Sequence, residues 1–95
     1  MEPSRVINVD LSGATSKEDI HRRMAESFSF PDYYGMNWDA FWDCTTTLDP
    51  MPRKIRISGL KQIEENLPKE ATHLKRWLEQ FRAEPDGKTI SVEME

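Results

Sequence analysis

Three short runs rich in β-branched residues mark this chain: RVINVDL (Arg5–Leu11), KIRIS (Lys54–Ser58) and the closing KTISVEME. Long stretches with helical periodicity separate each run from the next. That alternation constrains the fold more than any other feature. Helices between successive strands return the chain to the same end of a sheet, so the strands run parallel, with right-handed crossovers. The order β-α-α-β-α-α-β predicts one α/β domain spanning residues 1–95.

The intervening stretches carry their own start and stop signals. Ser16 is placed to cap a helix from Lys17 to about Ser27, with Glu18 and Asp19 in the first turn and Ile20, Met24 and Phe28 on the core-facing stripe. Pro31 cannot continue that helix, and Gly35 frees the backbone for a turn. Asn37 is placed to cap a second helix, NWDAFWDCTTTL. DPMPR reads as a loop, and GLKQIEENL as a short helix that Pro68 ends. Pro68 then stands at the first position of a long helix with Leu74, Trp77, Leu78 and Phe81 in one stripe. PDG (Pro85–Gly87) reads as a turn, followed by a strand with Ile90, Val92 and Met94 on one face.

The stretch PDYYGMNWDAFWD, Pro31 to Asp43, poses the functional question. It holds five of the nine aromatic residues, and three acids without a base. From Met24 to Pro52 there is no Lys, Arg or His, and Glu26, Asp32, Asp39, Asp43 and Asp49 concentrate negative charge there. The remainder has 12 acids against 13 bases, so the whole negative excess of the −4 chain lies in one segment. At about 100° per residue, Trp38, Phe41, Cys44, Thr45 and Leu48 share an apolar arc. Asp39 and Asp43 lie on the opposite side, with Trp42 on the border beside Thr46. Like charges four apart cost a helix about 0.2–0.5 kcal/mol, and tryptophan is enriched at binding hot spots. This pattern describes a contact face. Of Tyr33 and Tyr34, one is expected to plug the core and the other to make contact.

Several function classes are excluded or disfavoured. Nucleic-acid readers need bases among their aromatics, and this cluster has acids instead. There is no apolar run of about 20 residues for a membrane span, no signal-peptide core, no glycine-rich phosphate loop and no metal-ligand spacing. The single cysteine, Cys44, excludes an internal disulfide and reads as a small core residue. Two aspartates on a convex helix offer little cleft for acid–base catalysis. The expectation is a cytoplasmic, monomeric, non-enzymatic protein without cofactor or metal, its face steering a basic protein partner. His21 and His73 read as ordinary surface or helix residues.

PDYYGMNWDAFWDCTTTL resembles the barstar family, protein inhibitors of barnase-type ribonucleases, whose pattern is Pro-x-Tyr-Tyr-Gly followed by Asn-x-Asp-Ala-Leu-Trp-Asp-Cys. The resemblance implies a small three-stranded parallel sheet packed by about four helices. It places Tyr33, Gly35, Asn37, Asp39, Trp42, Asp43 and Thr46 on the inhibitory face, with Gly35 shaping the loop. It implies a basic, extracellular-type ribonuclease as partner, with Asp43 entering the place of an RNA phosphate and Asp39 pairing with a second base. Thr47 and Leu48 depart from the glycine and tryptophan of barstar itself, and Met36 replaces an acid. The family's acidic contact on the last long helix falls near Glu79, Gln80 or Glu84. A non-inhibitory interaction module on the same scaffold is the alternative.

Overall fold

The computed structural model describes residues 6–48, 52–85 and 87–95. Arg5 at the expected start of the first strand, Asp49 of the acidic segment, Pro50 and Met51 of the expected loop and Asp86 of the expected turn lie outside the described residues. The elements are β1 (Val6–Asp10), α1 (Lys17–Phe28), α2 (Trp38–Thr46), β2 (Lys54–Ser58), α3 (Leu60–Asn66), α4 (Pro68–Ala83), a 3₁₀ turn (Gly87–Thr89) and β3 (Ser91–Met94).

All strand pairs are parallel, in the order β1-β2-β3. Ile7 pairs with Ile55 and Val9 with Ile57, while Val92 pairs with Ile55 from the other side. This register puts Ile7, Val9, Ile55, Ile57 and Val92 into the core. The alternate residues form a polar face, where Glu93 pairs with Lys54 at 2.9 Å and with Arg56 at 3.3 Å. Parallel sheets are ordinarily covered on both faces. Here the period-two alternation of KIRIS already marks a sheet covered on one side.

The helices close over the apolar side. Ser16 caps α1 by accepting from the Asp19 amide at 3.0 Å. Ser29 ends α1 in the left-handed conformation at φ 61, its amide reaching back to the carbonyls of Ala25 and Glu26. Glycine usually fills this place, because a Cβ there is unfavourable. Gly59 is required on two counts. Its φ is 88, and a Cβ would lie 2.3 Å from the Ser12 amide nitrogen, so only glycine lets α3 start against the end of β1.

Two expected boundaries shift. The second helix ends at Thr46 instead of Leu48. Thr45, Thr46 and Thr47 donate their hydroxyls back to the carbonyls of Phe41, Trp42 and Asp43, at 2.8, 2.9 and 2.8 Å. Three β-branched residues in a row also lose rotamer freedom in a helix, so the run terminates it. The closing strand starts at Ser91, because a 3₁₀ turn occupies Gly87–Thr89.

His21, expected as a surface or helix residue, is a helix residue but not a surface one. His21 is fully buried, with 0% exposure, on the α1 face that also buries Ile20, Met24 and Phe28. Its Nδ1 lies 2.6 Å from the Tyr34 hydroxyl, and its Nε2 has no hydrogen-bond partner among the described residues.

A candidate protein-docking face on helix α2

The face begins at the loop before α2. The Tyr34 amide donates to the Pro31 carbonyl at 3.0 Å, closing a turn. Successive side chains then diverge: Tyr34 enters the core, while Tyr33 stands 86% exposed. The two tyrosines thus divide as the sequence allows, one plug and one free ring. Gly35 serves the loop differently from expectation. The left-handed residue is Met36, at φ 58. A Cβ on Gly35 would lie 3.1 Å from the Asn37 side-chain amide, which itself donates to the Gly35 carbonyl at 3.1 Å. Glycine gives room for the cap, and Met36 holds the less favourable backbone.

Asn37 caps α2 by accepting from the Ala40 amide at 2.8 Å. One side of α2 is bolted to the rest of the protein. Phe41 is fully buried against Phe28, Phe30 and Trp77. The Trp38 indole donates to Glu70 at 2.9 Å, meets His21 edge-on and stacks on His73. The Trp77 indole donates to the Thr45 hydroxyl at 2.9 Å. Trp38, Cys44 and Leu48, expected in the apolar arc, are only partly buried against this core.

The opposite side is free. Asp39 and Asp43 are exposed, and neither carboxylate makes a hydrogen bond or ion pair with a described residue. Trp42 is half-buried beside them, and Thr46 is half-buried with its hydroxyl spent on the Trp42 carbonyl. Tyr33, Gly35, Asn37, Asp39 and Asp43 are exposed, and Trp42 and Thr46 are half-buried, although Asn37 and Thr46 use their polar groups on the helix itself.

Two hollows flank α2. One, of about 360 Å³, includes Phe30, Tyr33, Cys44, Thr47 and Leu48. Burial, and then the neighbouring Asp43, push the Cys44 thiol pKa up, so the thiol stays protonated and is a poor nucleophile. The other, of about 340 Å³, sets Asp39 and Trp42 against His73, Arg76 and Gln80 of α4. Neither Glu79 nor Glu84 lines it. The presence of Arg76 in this groove had no local signal in the sequence, because it depends on how α4 is rotated against α2.

A sequence model of one family, described as Barstar (barnase inhibitor), matches residues 4–95. The chain belongs to the barstar family. Its three-stranded parallel sheet and four α-helices are the barstar-like architecture that the sequence resemblance implied. A Bacillus subtilis (strain 168) protein named Putative ribonuclease inhibitor YrdF is 40% identical over 57 residues. That match covers 60% of this chain and 63% of YrdF, so it spans less than two thirds of the relative's length. Among the described residues, no helix is long and apolar enough to cross a membrane.

Proposed function

We propose that this barstar-family chain is a cytoplasmic, monomeric, non-enzymatic inhibitor of a basic, extracellular-type ribonuclease. It blocks the active site with the α2 face. One observation carries this reading: two exposed carboxylates, without a partner among the described residues, stand beside a half-buried indole on a helix whose other side is locked into the core. Arginines that hold an RNA phosphate hold a carboxylate in the same forked geometry. Asp43 takes the phosphate place and Asp39 pairs with a second base. Trp42 and Tyr33 supply apolar contact that keeps water from the charge pairs. Because the helix is already anchored, little ordering cost remains at binding. The YrdF description and the family's own name support the same partner class.

The deciding experiment mixes the purified chain with barnase and follows RNA cleavage against inhibitor concentration. Stoichiometric loss of cleavage is expected. Binding without loss of cleavage would instead describe an interaction module on this scaffold.

A further inference from the structure

Arg76 shares the α2–α4 groove with Asp39 and Trp42, and among the described residues is the only arginine or lysine lining it. It is exposed and bonds to no described residue. Arg22, Arg23, Arg56 and Arg82, by contrast, each engage a group of this chain. The packing of α4 places Arg76 there. Trp77 is fixed by its bond to Thr45 and by its contact with Phe41, 5.0 Å between ring centroids. The stripe His73, Arg76 and Gln80 consequently falls along the acidic flank of α2. His73 is occupied in stacking on Trp38, and Gln80 is neutral, so the free donor fork of the groove belongs to Arg76.

An acidic face with a lone guanidinium in it is selective. A partner with only bases across this groove gains at Asp39 and loses at Arg76, because like charges brought together at an interface are a repulsive element against that partner. A guanidinium binds a carboxylate through two parallel N–H donors. We infer that Arg76 receives an Asp or Glu side chain of the ribonuclease, next to the base that pairs with Asp39, and so sets which ribonucleases this chain blocks. The inference rests on the ribonuclease-inhibitor reading of the same face.

The test is a charge scan in both partners. The full chain and its Arg76→Ala, Arg76→Glu and Arg76→Lys variants are titrated against barnase. They are also titrated against barnase variants carrying a single Glu or Lys at each position around the active-site rim. Circular dichroism checks that each variant of the exposed Arg76 keeps the fold. At one rim position, Glu is expected to bind the parent chain about tenfold tighter than Lys does, a size expected of an interfacial charge pair. Arg76→Lys retains part of that preference, Arg76→Ala abolishes it and Arg76→Glu reverses it. If every rim substitution acts equally, within about twofold, on the parent and on Arg76→Ala, the assignment of Arg76 is wrong while the inhibitor reading stands. If neither the parent nor any variant binds or inhibits any of these ribonucleases, the inhibitor reading fails and takes this inference with it.

Discussion

Trp77 of α4 donates its indole N–H to the hydroxyl of Thr45 on α2, across 2.9 Å inside the core. The same hydroxyl donates to the Phe41 carbonyl at 2.8 Å, so one oxygen serves as both acceptor and donor. This relay fixes the rotation of α4 against the helix that carries Asp39, Trp42 and Asp43.

Thr45→Val keeps the shape and removes the relay. It strands a buried indole N–H, which costs about 1–3 kcal/mol. Urea unfolding should show a loss of that size, whereas Thr45→Ser, which keeps the hydroxyl, should lose less. Equal losses for the two would place the effect in packing instead of hydrogen bonding.

Asp43→Ala should lose inhibition at least about 30-fold, the lower end of the cost of truncating one member of an interfacial charge pair. Its melting temperature should hold or rise slightly, since the like-charge pair with Asp39 is removed. An unfolded variant would show that Asp43 is structural.

Stability should fall with acid through His21. Burial, reinforced by Lys17 of α1, lowers its pKa from 6.5 to about 4 in the folded state. Glu18 of α1 and Glu70 of α4 oppose the shift, His73 of α4 adds to it, and the Tyr34 hydroxyl packs on Nδ1. The unfolded chain binds the extra proton first, so stability is complete above about pH 6.5 and drains away toward pH 4. The loss attributable to this one residue is about 3 kcal/mol by the lower limit of that window. Denaturant midpoints measured from pH 4.5 to 7.5 should therefore slope more steeply for the parent than for His21→Gln. Parallel curves would contradict the assignment.

Association with a basic ribonuclease should slow by about tenfold or more as salt rises from roughly 10 mM to 0.5 M, because exposed Asp39 and Asp43 act through a screened field. Stopped-flow rates with Asp39→Asn and Asp43→Asn should show a shallower dependence. A flat response in the parent would remove steering from the mechanism.

Much of this was readable locally. Ser16 and Asn37 cap the helices their positions announce, and β2 occupies the residues of KIRIS. Such features depend on neighbours three or four positions away, or on alternation, and the sequence displays both. The sidedness of α2 was legible for the same reason, including Trp42 on the border between core and acids. His21 was not legible. A polar residue beside an apolar stripe reads as surface, and its burial depends on the Tyr34 hydroxyl, 13 residues later, which the sequence could assign to either tyrosine's fate.

The sequence by itself determined the alternation of strands and helices, the parallel sheet and the separation of Asp39 and Asp43 from the apolar arc of α2. Each follows from short-range geometry, which repeats with fixed periods along the chain. Only the tertiary structure decided that Tyr33 stands free, that His21 is enclosed and that Arg76 shares a groove with Asp39. Those depend on the rotation of one packed element against another, which the fit of Trp77, Thr45 and Phe41 sets across distances no local pattern spans.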